Sequence, residues 1–144
     1  MEFRYVGTTG ICASSLCVGV AFRGRYRRGL TESDCMATIE RAVERGINFI
    51  DCANVYGRGW SERVLGQALT RLGKRDEFVI TTKVGQKKMS EEPFREGLSR
   101  DYILAEIDRS LQRLKVDYVD IYLMHQPDPA VALEESLQAM DEVV

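Results

Sequence analysis

The chain has 144 residues, 44% of them hydrophobic and 29% charged, which is the composition of one globular domain. Its 20 Lys and Arg residues against 22 Asp and Glu residues give a formal net charge of -2, which argues against broad electrostatic binding of nucleic acid. The sequence has neither an apolar run of about 18 residues nor a signal-peptide pattern, so we expect a cytoplasmic protein that binds no membrane.

Two short extended runs begin the chain. They cover residues 3–6 and 15–18, and the turn-forming residues 7–10 separate them. We predict turns and short strands in this part.

An amphipathic helix follows. Thr31 is a suitable N-cap, and Gly46 stands where a C′ glycine belongs. Between these two residues, apolar side chains recur at helical spacing: Met36, Ile39, Ala42 and Val43. The short apolar run at 47–51 predicts a strand directly after the helix.

Helix and strand continue to alternate. We predict a helix from about Ser61 to just before Gly73 and a strand over residues 78–83. The next helix begins at about Arg100, with Ser99 as its N-cap.

A fourth strand and helix complete the pattern. The strand covers residues 118–124, and Asp128 and Pro129 are predicted to open the last helix. The apolar stripe predicted for that helix consists of Leu133, Leu137, Met140 and Val144.

Apolar strands that alternate with amphipathic helices indicate an α/β protein with a parallel sheet and right-handed crossovers. Two architectures compete, a doubly wound open sheet and a (β/α) barrel. The open sheet usually carries a Gly-rich phosphate turn after its first strand, and the candidate at residues 24–29 has the wrong spacing. Reactive side chains at the ends of successive strands, Asp51, Lys83 and His125, are typical of a barrel enzyme.

These three residues and Tyr56, in an adjoining loop, form a coherent acid–base set. A free phenol is a poor proton donor at neutral pH, and a nearby ammonium group such as that of Lys83 favours its ionised form. Asp51 is the natural counterion of a lysine withdrawn from water. His125 can orient a carbonyl oxygen or relay a proton.

Each of these residues also has a purely structural interpretation. Asp51 can cap the loop after its strand, and Lys83 can be a solvated charge. His125 and Tyr56 can be packing residues with satisfied polar atoms. Their occurrence together at equivalent points of consecutive repeats favours the catalytic interpretation.

The cysteines and the histidine do not predict a metal site. The four cysteines contain no CxxC pair, and the chain has a single histidine. We therefore expect reduced thiols and no structural zinc.

A run of motifs from residue 46 to residue 125 adds a second line of evidence. The segment GINFIDCANVYG at 46–57 is followed by SERVLG at 61–66, then by ITTK at 80–83. SLQRL at 110–114 leads to DIYLMH at 120–125. These motifs resemble, in order and spacing, those of the aldo-keto reductase family, whose signature is GINFxDTAxxYGxxxSExxLG. The resemblance covers essentially all of residues 1–144.

The resemblance implies a (β/α)8 TIM barrel, of which residues 1–144 hold the first four βα units after short N-terminal strands at about 1–12. It implies reduction of a small aldehyde or ketone to an alcohol by NADPH. The catalytic residues of the family then correspond to Asp51, Tyr56, Lys83 and His125, with Tyr56 as the proton donor.

The same likeness suggests binding residues. Gly19 and Asp51 would bind the cofactor NADPH (NADP), while Phe22 and His125 would bind the substrate. Packing in the core is an equal alternative for Phe22, and Trp60 either lines the pocket or simply begins a helix. A cluster of arginines could favour an anionic substrate or be a solvated loop: Arg23, Arg25, Arg27 and Arg28.

A complete barrel of this kind has about 250 residues, so the resemblance covers half of one. The family's remaining cofactor-binding loops belong to strands five to eight. We expect the 144 residues to be part of a longer enzyme. If they are the whole chain, we expect a homodimer that completes a barrel, because a half-barrel would otherwise expose two strand edges.

Two other functions remain open at this point. One is a non-catalytic binding subunit that resembles potassium-channel beta subunits, since fold alone does not establish activity. The other is an inactive, truncated remnant. The presence of all four candidate catalytic residues favours an enzyme over both alternatives.

Overall fold

The computed structural model describes residues 1–22, 29–86 and 97–144. The strands are β1 (Phe3–Tyr5), β2 (Cys12–Ser14), β3 (Cys17–Gly19), β4 (Phe49–Asp51), β5 (Val79–Val84) and β6 (Ile121–Met124). The helices are α1 (Glu32–Glu44), α2 (Trp60–Leu72), α3 (Arg100–Leu114) and α4 (Leu133–Glu142). A short 3₁₀ turn over Arg75–Glu77 leads into β5.

Strands β3 to β6 form a parallel sheet in sequential order. Gly19 pairs with Asp51, Asp51 with Thr81, and Lys83 with Leu123. Because alternate side chains of a strand share a face, all these residues belong to one face of the sheet. Sequential order without a reversal is typical of a barrel rather than of a doubly wound sheet, and it confirms the predicted α/β class.

The hydrophobic core lies on the other face of this sheet. Ile50 and Ile80 from the strands are fully buried there together with Ile39 of α1 and Leu65 of α2. The barrel-interior face is more open, and Leu123 on β6 is 41% exposed. The helices therefore cover one side of the sheet and leave the side that carries the candidate site accessible.

The N-terminal strands differ from the prediction. The structure has an antiparallel hairpin of β1 and β2, in which Phe3 pairs with Ser14, and β3 follows as the first parallel strand. The predicted run at 15–18 is interrupted because the Ser14 hydroxyl donates to the Leu16 carbonyl at 2.7 Å, which bends the chain between the two strands. The Ser14 amide also donates to Asn48 Oδ1 at 2.7 Å and fastens the hairpin beside β4.

The predicted ends of α1 are confirmed. Thr31 is its N-cap and forms a capping box with Asp34, whose amide donates to Thr31 Oγ1 at 3.2 Å. Gly46 follows the helix with a left-handed φ of 82°. Helix α3 likewise begins at Arg100, after Ser99 as N-cap.

Strand β6 is shorter than the predicted 118–124. The Ile80 amide donates to the carboxylate of Asp120 at 2.8 Å. A side chain thus occupies the place of a ladder carbonyl, and regular pairing begins only at Ile121.

The predicted start of α4 is wrong. Asp128 and Pro129 lie in a turn, because Asp128 Oδ1 accepts from the Ala130 amide at 3.0 Å and Asp128 Oδ2 accepts from the Leu98 amide at 3.2 Å. The helix begins at Leu133.

The predicted apolar stripe of α4 is also wrong in part. Leu133 and Leu137 are 61% and 50% exposed, whereas Ser136 and Ala139 are the buried residues of the helix. Met140 is partly buried and packs against a small cluster that includes Tyr102 and Ile103 of α3. Helix α4 therefore turns its small residues, not its leucines, toward α3.

Helix α2 lies against the backbone at the end of α3 at Gly66. A Cβ at Gly66 would lie 2.5 Å from the Arg113 carbonyl oxygen and 2.6 Å from that of Leu114. We expect Gly66→Ala to lower the free energy of unfolding by about 1–3 kcal/mol, because two backbone segments must separate. Urea unfolding measures this loss.

Gly19→Ala is the matched control for that experiment. A Cβ at Gly19 would meet no atom within 4 Å. Equal destabilisation by the two substitutions would contradict the close approach of α2 and α3 as the cause.

Two further observations concern the whole described structure. No helix in residues 1–22, 29–86 or 97–144 is long and apolar enough to cross a membrane. The four cysteines all lie within these residues and form no disulfide there.

Candidate active site

The candidate site lies at the carboxyl end of the parallel sheet. Asp51 is the last residue of β4, Lys83 lies near the end of β5, and His125 follows β6 directly. Tyr56 lies in the loop between β4 and α2. Parallel strands bring these ends to one edge, so residues far apart in sequence meet there.

Lys83 is the centre of the site. Its Nζ lies 2.6 Å from Asp51 Oδ1 and donates to the Cys52 carbonyl at 2.8 Å. It also lies 3.4 Å from the phenolic oxygen of Tyr56. The Lys83 side chain is only 12% exposed and that of Asp51 is 32% exposed, so the ammonium is compensated by one carboxylate and one carbonyl.

The loop that carries Tyr56 is held by its own backbone. The Tyr56 amide donates to the Ala53 carbonyl at 3.1 Å, and the Ser61 amide donates to the Tyr56 carbonyl at 3.2 Å. Three consecutive residues after Tyr56 have left-handed φ angles: Gly57 at 62°, Arg58 at 55° and Gly59 at 75°. Two glycines permit this turn, which reverses the chain into α2 and leaves the phenol beside Lys83.

His125 completes the group. Its ring lies edge-on to that of Tyr56, with centroids 5.8 Å apart and planes at 82°. Its amide donates to the Val84 carbonyl at 2.7 Å. Its Nδ1 is buried and has no hydrogen-bond partner among the described residues.

Burial lowers the pKa of His125 below its ordinary value, and the charge of Lys83 lowers it further, while Asp51 opposes both. The ring is therefore neutral at pH 7 and carries one N–H donor. A neutral ring beside the phenol can hold a carbonyl oxygen by a hydrogen bond without adding a second cation to the site.

The single histidine makes this protonation state measurable. We expect the His125 ring protons to titrate, by NMR, with a midpoint below about 6.5. Lys83→Met removes a positive neighbour, so we expect the midpoint to rise. A midpoint that did not respond would contradict the coupling between Lys83 and His125.

The same shift affects stability. An unfolded chain protonates its histidine first, at about pH 6.5, so it binds more protons than the folded chain in the window just below that value. The contribution of neutral His125 to the free energy of unfolding is therefore present above about pH 6.5. It is lost as the pH falls through the lowered pKa that His125 has in the folded chain.

The residues predicted to bind ligands have different surroundings. Gly19 is exposed, pairs with Asp51 and has open space where a Cβ would lie. Phe22 is only 2% exposed and belongs to the hydrophobic core, which favours the packing alternative. Trp60 begins α2 and is also buried in that core. The arginine cluster at 23–28 lies outside the described residues.

Two features of the site were not predicted. The Cys52 carbonyl accepts a hydrogen bond from Lys83. Every residue has a backbone carbonyl, so the sequence does not indicate which one accepts. A buried ion network behind the site, formed by Glu62, Glu106 and Arg113, was also missed. The SERVLG and SLQRL motifs contain two of these charges and are the signal that could have indicated them.

The arrangement is suited to proton transfer. It pairs a hydroxyl donor, Tyr56, with an ammonium group that stabilises the anion left after the proton departs. Within the described residues no group of three or more His, Cys, Asp or Glu side chains could hold a metal ion.

Comparison with known proteins places these residues in a wider context. The model of the aldo/keto reductase family matches residues 15–144. Aldo-keto reductase YhdN of Bacillus subtilis strain 168 is 38% identical over 144 residues, covering 99% of this chain and 43% of that protein. A Schizosaccharomyces pombe protein described as a voltage-gated potassium channel subunit beta is 36% identical over 145 residues, covering 100% of this chain and 42% of that protein.

A solved structure is similar over the same part. Aldo-keto reductase AKR11C1 from Bacillus halodurans, in its holo form, matches with a TM-score of 0.83 at 31% identity, covering 99% of this chain and 46% of that one. The predicted barrel type is thereby confirmed as a partial (β/α)8 barrel. The chain spans less than half the length of each of these three proteins.

Proposed function

This chain belongs to the aldo/keto reductase family, and we propose that it provides the proton donor for NADPH-dependent reduction of a small aldehyde or ketone to an alcohol, in the cytoplasm. The observation that carries the proposal is the distance of 3.4 Å between Tyr56 OH and Lys83 Nζ, with Lys83 in turn 2.6 Å from Asp51. A phenol is placed beside a compensated ammonium group, which a purely structural site does not need.

The proton comes from Tyr56. It passes from the phenolic oxygen to the carbonyl oxygen of the substrate, which becomes the hydroxyl of the alcohol. The ammonium group of Lys83 stabilises the phenolate that remains, and Asp51 holds that ammonium in place. Neutral His125 donates a hydrogen bond to the same carbonyl oxygen and orients it toward Tyr56.

Gly19 and Asp51 fit the reactive end of a nicotinamide cofactor. They are paired across β3 and β4, and the space above Gly19 is open, so a flat ring can approach the backbone next to Lys83. When bound, NADPH supplies the hydride that reduces the carbonyl carbon. The protein contributes orientation and charge. Phe22 remains a candidate for the substrate wall only if its ring leaves the core.

A second function is supported by the comparison with the channel subunit beta of Schizosaccharomyces pombe. In this alternative the chain binds a nucleotide or a protein partner and does not turn over a substrate. The same group of Tyr56, Lys83 and His125 favours the enzyme, because binding alone requires no proton donor.

One experiment separates the two. A form of the protein that contains these 144 residues and a complete barrel is incubated with NADPH and a panel of aldehydes and ketones, and NADPH is followed by its near-ultraviolet absorbance and by fluorescence titration. We expect substrate-dependent oxidation of NADPH. Binding of NADPH without oxidation for every substrate would support the binding subunit, and absence of both binding and oxidation in the complete-barrel form would overturn the proposed function.

If the 144 residues are the entire polypeptide, we propose a homodimer that completes a barrel, with far weaker NADPH binding than a complete enzyme and little or no turnover. The edges of the parallel sheet are β3 and β6, and its inner face is open at Leu123. A two-fold pair could join β6 of each copy to β3 of the other. Light scattering tests this: a stable, well-folded monomer would contradict it.

A further inference from the structure

Glu62 occupies an unusual position for a carboxylate. It is 0% exposed in the first turn of α2. Its Oε1 accepts from the hydroxyl of Thr82 at 2.7 Å, and its Oε2 accepts from Nε of Arg113 at 2.6 Å. A buried carboxylate is costly unless it is paired and hydrogen-bonded, and both of its oxygens are.

The bond to Thr82 joins two elements of the candidate site. Thr82 precedes Lys83 on β5, and its side chain points to the opposite face of the sheet. Glu62 follows the left-handed turn that leads from Tyr56 into α2. This buried hydrogen bond therefore joins the helix after Tyr56 to the strand that carries Lys83.

Arg113 supports the same bond from α3. Besides Glu62, it donates to Glu106 Oε1 at 2.5 Å and to Ser110 Oγ at 3.0 Å. It also packs on the left-handed turn, because a Cβ at Gly59 would lie 2.7 Å from Arg113 Cδ. The guanidinium thus restrains both the carboxylate and the turn that holds the phenol.

We propose that Glu62 is a positioning residue: through Thr82 and Arg113 it fixes the Tyr56 phenol at its distance from Lys83 and at its edge-on contact with His125. Among the described residues, Glu62 forms no hydrogen bond or ion pair with Tyr56, Lys83 or His125. The consequence for catalysis rests on the proposed function, whereas the consequence for the geometry of Tyr56 does not.

A merely structural role makes a different prediction. If Glu62 only joined helices to the sheet, loss of its bond to Thr82 would lower stability and leave the rings of Tyr56 and His125 as they are. If Glu62 positions Tyr56, the same loss moves the phenol relative to His125. The contact between these rings, whose centroids lie 5.8 Å apart, therefore distinguishes the two roles.

The test uses Thr82→Val, which keeps the shape of the side chain and removes the hydroxyl, and Thr82→Ser, which keeps the hydroxyl. The readout is the NMR signal of the His125 ring, unique in this chain, because the neighbouring Tyr56 ring shifts it. Tyr56→Ala defines the signal when that ring is absent. We expect Thr82→Val to move the His125 signal toward the Tyr56→Ala position, and Thr82→Ser to retain the wild-type position.

Kinetics with an aldehyde give the second readout. We expect Thr82→Val to lower kcat about 10- to 100-fold with KM within about two-fold, because the donor is misplaced while the ligand surfaces are intact. Thr82→Ser should restore kcat. If the wild-type chain reduces no carbonyl, the proposed function fails, and the NMR comparison still decides the positioning role.

Arg109→Met is the matched control within the network. In the described structure Arg109 lies 3.5 Å from Glu106 and forms no hydrogen bond or ion pair with Glu62 or Thr82. We expect it to leave the His125 signal unchanged. A Thr82→Val variant that melts at a lower temperature but keeps the wild-type His125 signal would overturn the proposal, as would an active variant with unchanged kcat.

Discussion

Replacement of Tyr56 by phenylalanine is expected to lower kcat for aldehyde reduction by about 10²- to 10⁴-fold, the usual contribution of a positioned proton donor. The phenylalanine ring keeps the edge-on contact with His125, so only the hydroxyl next to Lys83 Nζ is removed. The proton for the carbonyl oxygen must then come from water or from the neutral His125 ring, and both are weaker acids than a phenol. Steady-state rates of NADPH oxidation measure the loss.

Three control measurements show whether this loss is chemical. The affinity for NADPH and the melting temperature should be close to those of the wild-type chain. Lys83, the hydrogen-bond partner of the hydroxyl, keeps Asp51 and the Cys52 carbonyl as partners, and the hydroxyl contributes little to packing. The His125 signal should stay close to its wild-type position. A Tyr56→Phe variant with wild-type kcat would show that Tyr56 is not the proton donor.

The order of strands and helices could be predicted from the sequence because the spacing of apolar residues and the residues at the ends differ between helices and strands. Thr31 and Gly46 mark α1 by local chemistry, a capping hydroxyl and a left-handed glycine, and both act as predicted. The start of α4 could not be predicted in this way. Aspartate is a residue type that often caps a helix, but the carboxylate of Asp128 accepts from the amides of Ala130 and Leu98 instead. Leu98 is 30 positions away in the sequence.

The candidate site shows the same division. Asp51, Lys83 and His125 could be assigned to one edge, because parallel strands bring their carboxyl ends together whatever the details of packing. The contacts that hold Lys83 and Tyr56 in place depend on pairs such as Glu62 with Arg113, which are 51 residues apart, and periodicity contains no information about such pairs. Phe22 was ambiguous for the opposite reason, since an aromatic residue after a strand suits a pocket and a core equally well.

The ion network predicts the largest effect on stability. Arg113→Met should lower the free energy of unfolding by about 3–5 kcal/mol, because it leaves Glu62 and Glu106, 0% and 3% exposed, as buried carboxylates without their shared cation. Burial opposes the charge of Arg113, but the two carboxylates outweigh it and raise the pKa of the guanidinium above its ordinary value. Urea unfolding, followed by circular dichroism, measures the loss.

The cause of that loss can be separated from the loss of side-chain packing. Adding Glu62→Gln and Glu106→Gln to Arg113→Met removes both unpaired charges while keeping the side chains near their original shape. If charge is the cause, the triple variant should recover most of the lost stability, since a buried ion network can be replaced by neutral groups at small cost. If the triple variant is as unstable as Arg113→Met alone, the stability came from the packing of the Arg113 side chain against the turn at Gly59.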